Sequence, residues 1–200
     1  HSPVRVEVPE DVELARVALG WIAPPAFGPS DAPLEVAATV LAGGRATRLY
    51  RALVTDESVA TDVGAYVDAN ELASMVIVMA TGKRGVSGAD LERRLDGVIA
   101  DLGRSGPTAE ELARAQRRIL VDLYSDLQLL DGSGGDSGRA GLLQRYHHYL
   151  GDPGFLPRYV ARIEAVTASD VARVVTEQLN PNRRATVITR PAGADAEARP

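Results

Sequence analysis

The 200-residue sequence has no cysteine, a single lysine (Lys83), one tryptophan and two phenylalanines. Without a thiol there is no disulfide framework, no thiolate zinc site and no cysteine nucleophile, so stability must come from an apolar core. The hydrophobic content of 45% supplies that core in a chain of single-domain length. One lysine and a formal net charge of -5 leave no clustered cationic surface for a sequence-independent grip on nucleic acid, and the charge favours a soluble protein. The longest apolar run, around Leu72 to Ala80, is broken by Ser74 and is too short to span a bilayer. The opening HSPVRVEVPED lacks a secretory pattern and an initiator Met, which reads as a fragment of a longer protein.

The familiar catalytic signatures are missing as well. Neither His-Glu-x-x-His nor His-x-x-Glu-His occurs, and adjacent His147 and His148 point about a third of a helical turn apart, so they cannot ligate one metal as an i, i+4 pair does. No Gly-x-Ser-x-Gly elbow is present. Glu110-Glu111 falls in the first turn of an expected helix, where acidic side chains meet the positive end of the macrodipole without any catalytic purpose. Gly43-Gly44-Arg45 follows a helix, whereas a phosphate loop follows a strand and opens a helix. DGSGGDSG, residues 131–138, also leaves a helix, and its two aspartates would repel phosphate, so it reads as a helix connection.

Local patterns give an element order. Val4, Val6 and Val8 alternate with polar residues, and Leu14 to Ile22 is an apolar run closed by Pro24-Pro25, so both read as strands. Leu34, Ala37, Ala38 and Leu41 share a helical face that ends at Gly43-Gly44, and a second helix runs from Thr47 to Val54. Val59, Thr61, Val63, Ala65 and Val67 then alternate as a strand, paired as a hairpin with Leu72 to Ala80. Ser87 with Asp90, Thr108 with Glu111 and Thr167 with Asp170 mark helix starts, each cap worth about 1 kcal/mol. Further helices are expected over Arg139 to Leu150, Leu156 to Val166 and Ala168 to Leu179, before a closing strand from Arg184 to Thr189. This order lacks regular βα alternation, so the expected fold is α+β: two layers, a largely antiparallel sheet with helices packed on one face. Residues 1–190 form one domain in this reading, and 191–200 a linker or tail.

The succession VALGWIAPP, VLAGG, RATRLYRAL, the hairpin, GPTAEELARAQ and LGDPGF-to-TASDV resembles the C-terminal, non-catalytic domain of pitrilysin/insulinase-type zinc peptidases, which include the mitochondrial processing peptidase. The resemblance runs from about Val4 to Pro191. It implies a processing-peptidase-like domain with no cofactor of its own. Zinc is expected in a partner N-terminal domain of the same chain, with a second homologous half-clamshell closing a chamber around a peptide substrate. Gly43, Gly44, Val54 and Thr61 are then the substrate-chamber positions. Many relatives carry a carbonyl-stabilising Arg and Tyr where alignment on RLYRAL puts Val54 and Thr61, and the glycine doublet sits where the processing peptidase's recognition subunit expands a glycine-rich loop. Neither Val54 nor Thr61 can supply a guanidinium or phenol hydrogen bond, so no catalytic residue is expected here. Members that lost peptidase function serve as scaffold subunits, so a structural or assembly domain is the alternative. The compartment is not specified by any of these features.

Overall fold

The computed structural model describes residues 2–131 and 138–192. Strands β1 (Val4–Glu10) and β2 (Arg16–Ala23) lead into helix α1 (Asp31–Ala42), a wide-wound π-helix (Tyr50–Asp56) and the hairpin β3 (Ala60–Asp68) and β4 (Ser74–Gly82). Helices α2 (Gly88–Ser105), α3 (Ala109–Asp126), α4 (Gly138–Leu150), α5 (Leu156–Glu164) and α6 (Ala168–Gln178) follow, then a 3-10 turn (Pro181–Arg183) and strand β5 (Arg184–Pro191). The five strands form one sheet in the order β1-β5-β2-β4-β3. Among the described residues only β1 and β5 run parallel; the other pairings are antiparallel. This is the α+β layer that the element order implied.

The caps explain where the helices begin. Ser87 accepts the Asp90 amide, and Thr108/Glu111 and Thr167/Asp170 form reciprocal capping boxes at the starts of α3 and α6. From the capped start of α2, Leu91, Leu95, Ile99 and Leu102 fall on one stripe and are buried. They pack with Val17, Leu19 and Trp21 of β2 and Val174 and Val175 of α6 in the core between sheet and helices. Trp21 also donates its indole N–H to the Asn180 carbonyl at 2.9 Å, tying β2 to the approach of β5.

Three sequence expectations shift in register. β2 and β4 begin two residues later than their apolar runs, at Arg16 and Ser74, and Leu72 is left 88% exposed in the turn. The second helix winds as a π-helix and extends to Asp56. On β3 the alternation through Val59, Thr61 and Val63 is interrupted: Ala60 pairs with Gly82 and Asp62 with Thr81, so Thr61 is the extra residue of a bulge. Ala60 is therefore buried and Thr61 exposed, with its hydroxyl donating to the Thr81 carbonyl at 3.2 Å. At the chain's end β5 runs to Pro191 and the Ala192 amide bonds to the Glu10 carbonyl. The rest of the expected tail, and the middle of DGSGGDSG, lie outside the described residues.

Candidate functional site

The four residues singled out from the sequence do not converge on one another as a catalytic cluster. Gly43 ends α1, where a β-carbon would come within 2.6 Å of the Thr39 side chain and carbonyl, and Gly44 has φ +149°. Both glycines are accounted for by chain reversal. Val54 lies on the π-helix and packs partly buried against the core, while Thr61 occupies the bulge. The neighbouring Arg48 is engaged in structure: its Nε and Nη2 form a fork on the Glu111 carboxylate at 2.9 and 2.8 Å, Nη2 also donates to the Gly106 carbonyl at 2.7 Å, and Nη1 reaches Asp101 at 3.2 Å. This fork holds the segment to the α2–α3 corner and engages the Arg48 guanidinium in structure.

Two further features were not singled out from the sequence. The first is the sheet face turned away from the helices. Residues paired across strands share a face, so Val6, Val187, Ala18, Met79 and Gly64 form one transverse row and Val4, Ala185, Gly20, Ile77 and Tyr66 the next. With Ile22 and Met75 beside them these rows form an apolar patch in which Ile22 is 66%, Val4 56%, Val6 45%, Tyr66 45%, Val187 42% and Met75 40% exposed, bordered on the same face by Arg16, Thr81, Thr189, Asp62 and Asp68. An uncovered apolar face about 20 Å across five strands marks an interaction surface. Its signal in the sequence is that β2 and β4 are apolar on both faces, where a solvated antiparallel strand would alternate.

The second is a cavity of about 520 Å³ at the side of the sheet. Helix α1 contributes Asp31, Glu35, Ala38 and Thr39, β3 contributes Ala65 to Val67, and Asp122, Arg145 and Tyr159 come from α3, α4 and α5. Glu35 accepts the Tyr159 hydroxyl on both carboxylate oxygens, at 2.8 and 2.7 Å. Burial pushes the Glu35 carboxyl above the usual range; the Tyr159 bond opposes this, and neighbouring Asp31 adds to it. Asp31 is likewise raised by burial, against the hydrogen bond it accepts from the Phe27 amide at 2.8 Å. That bond, with Arg162 donating to the Phe27 and Gly28 carbonyls, holds Phe27 at φ +60°, a conformation unfavourable for an aromatic residue. Phe27 meets Tyr146, Tyr149 and Phe155 edge-on at 5.7, 5.9 and 5.6 Å, and burial pushes the Tyr146 phenol up to about 12.

Among the described residues no group of three or more His, Cys, Asp or Glu is arranged to hold a metal ion, so the donor set does not fit zinc. His148 instead faces Glu71 at 3.6 Å on the surface. No described helix is long and apolar enough to cross a membrane.

Comparison with known proteins adds to this geometry. The sequence profile of the peptidase M16 inactive domain matches residues 1–119. None of the curated proteins matches the sequence. Among solved structures, a protease from Helicobacter pylori aligns with a TM-score of 0.83 at 22% identity, over 95% of this chain and 45% of its own. The chain thus spans less than half the length of that protease. The inactive peptidase domain of a candidate zinc protease from Bordetella parapertussis aligns with a TM-score of 0.74 at 22% identity, over 92% of this chain and 94% of that one. A chain of complex III2 from Candida albicans aligns with a TM-score of 0.77 at 15% identity, over 98% and 46% respectively.

Proposed function

Because the chain belongs to the peptidase M16 inactive-domain family, we propose that it is the non-catalytic substrate-chamber domain of a zinc metallopeptidase. In this role it encloses a peptide and positions it for a zinc site carried by another domain. The observation that carries the reading is the exposed apolar patch on the outer face of the sheet. Such a face excludes water from a peptide laid against it and limits the peptide's freedom, and both effects favour attack on a metal-polarised carbonyl elsewhere. Residues 1–190 act as one domain, whose last strand runs on to Pro191. Gly43, Gly44, Val54 and Thr61 border the chamber without touching the chemistry. The partners are a zinc-bearing N-terminal domain of the same chain and a second homologous half that completes the enclosure.

The competing reading, an assembly domain without peptidase activity, draws on the fold shared with the complex III2 chain. Cleavage of unstructured peptides separates the two. The full-length parent, paired with its homologous half and supplied with zinc, should cleave, and the 200-residue chain alone should not. Replacing Ile22 with Asp on the exposed face should lower kcat/KM of the pair by at least tenfold, about 1.4 kcal/mol, without unfolding the domain. Cleavage by the isolated chain sinks the proposal. A pair without activity, dissociated by the Ile22 substitution, supports the assembly reading.

A further inference from the structure

Asp31 and Glu35 lie one turn apart on α1, and both line the 520 Å³ cavity. Each carries part of the attachment of α4 and α5. Asp31 accepts the Phe27 amide at 2.8 Å, and the Phe27 ring packs edge-on against Tyr146 and Tyr149 of α4 and Phe155 at the start of α5. Glu35 accepts the Tyr159 hydroxyl of α5. The two ends of this helical arm are secured elsewhere. At its start the Gly138 amide donates to Asp126, and the Arg139 and Ala140 amides donate to the Leu129 and Leu130 carbonyls. At its end Gln116 of α3 donates to the Ile163, Glu164 and Val166 carbonyls. The stretch between them walls the 520 Å³ cavity and an adjoining one of about 420 Å³.

The attachment depends on how the two carboxyl groups are charged. An ionised carboxylate accepts about four hydrogen bonds. Among the described residues Asp31 and Glu35 each receive a single donor group and have no ion-pair partner. The arginines on this side of the arm are engaged by backbone: Arg145 donates to the Ala69 carbonyl at 3.2 Å, and Arg162 to the Phe27 and Gly28 carbonyls. From α3, Asp122 is matched by Arg118, whereas Asp126 adds to the negative charge. Tyr66 of β3 and Tyr146 of α4 complete the titratable groups facing the pair. Burial raises both carboxyls above the usual range, and the charge of Asp31 raises Glu35 further. Once ionised, two like charges a turn apart in a buried site repel each other and draw in water.

We propose that Asp31 and Glu35 are a proton-controlled latch: protonated, they keep α4 and α5 docked on α1, and ionised, they release the stretch from Tyr146 to Tyr159 and open the cavity to water. Because the fold favours the protonated forms, docking is complete below the ordinary carboxyl values of about 3.9–4.3 and is lost as the pH rises through the raised folded values. The latch is a property of the folded chain alone and does not depend on the chamber reading.

The test is amide hydrogen exchange of the 200-residue chain at about pH 4 and about pH 8, read by mass spectrometry and corrected for intrinsic exchange at each pH. Residues 141–160 should lose protection by about tenfold or more at the higher pH, while α2 and α6 keep theirs. In the Asp31→Asn, Glu35→Gln double variant the arm should stay protected at both values, and either single variant should show a weaker pH dependence than the parent. Tyr159→Phe, which removes the hydroxyl and keeps the charge, should retain the dependence. His148 of α4 faces Glu71 at 3.6 Å and, when protonated, would also tighten the arm in acid, but His148→Gln should leave the dependence in place. Equal protection at both pH values, with water hydrating the charges while the arm stays docked, overturns the latch. So does a loss spread evenly over the chain, a pH dependence that survives in the double variant, or one that vanishes with His148→Gln.

Discussion

Arg48→Ala removes a side chain that the sequence places close to the expected substrate positions and that the fold uses as a clamp. Five hydrogen bonds go with it: two to Glu111, one to the Gly106 carbonyl, and one each to Asp101 and Ser105. Charge-assisted bonds contribute about 1.5–3 kcal/mol each when well formed, but they are not additive, and Asp101 is largely exposed. Glu111 keeps its bond from the Thr108 amide, so it is not left wholly unpaired. The Arg48 and Glu111 side chains are 14% and 23% exposed, which places the pair between surface and buried cases, and a loss of about 2–3 kcal/mol follows. With a urea slope of about 2 kcal/mol/M, the unfolding midpoint should fall by roughly 1–1.5 M. Acidity gives a second signature. The Arg48 hydrogen bond, aided by the Thr108 amide and opposed by burial, holds the Glu111 carboxyl below its usual range. Its contribution is therefore complete above the ordinary glutamate value of about 4.3 and is lost as the pH falls through the lower folded value. The gap between parent and variant should be full at neutral pH and shrink in acid. A midpoint change under about 0.3 M, or a gap that does not depend on pH, would refute the clamp.

Two other substitutions probe packing and the cavity. Gly88→Ala places a β-carbon 2.2 Å from the Ile188 Cγ2 in the core, which should cost about 1–3 kcal/mol and lower Tm by roughly 5 °C; an unchanged Tm by calorimetry would show that α2 and β5 are not so closely packed. Glu35→Gln should raise stability at neutral pH, unlike the typical loss of about 1 kcal/mol. The fold favours the protonated Glu35, so its contribution is present below the ordinary glutamate value and is lost as pH rises through the raised one. The groups facing it are Asp31 on its own helix, Asp122 and Asp126 from α3, Arg145 and Tyr146 from α4, and Tyr159 from α5. Denaturation at pH 4 and pH 8 should show the variant's advantage only at the higher value, and an advantage at neither, or a loss at pH 8, would contradict the assigned cause.

Much of the fold was legible because it is locally encoded. The capping pairs Ser87/Asp90, Thr108/Glu111 and Thr167/Asp170 act over three residues and appear as read. The strand order was not legible, since β5 inserts between β1 and β2 through contacts nearly the length of the chain. The bulge at Thr61 was invisible to an alternation rule, because the one extra residue is set by the partner strand. The candidate sites follow the same division. Gly43, Gly44, Val54 and Thr61 were proposed from one contiguous stretch. Glu35 and Tyr159, 124 positions apart, meet only in the folded molecule, and the outer sheet face becomes a surface only when five strands are laid side by side.

The parallel pairing of β1 with β5 imposes an order of events during synthesis. Val4 pairs with Ala185, and among the described residues β1 has no other strand beside it. At elongation rates of about 5–20 residues per second, β1 waits roughly 10–40 s for its partner. Over that interval β2 also lacks its β5 neighbour. The chain is then most open to mispairing, and a chaperone that shields β1 and β2 until Arg184–Pro191 emerges would raise the yield of folded domain without altering its final stability.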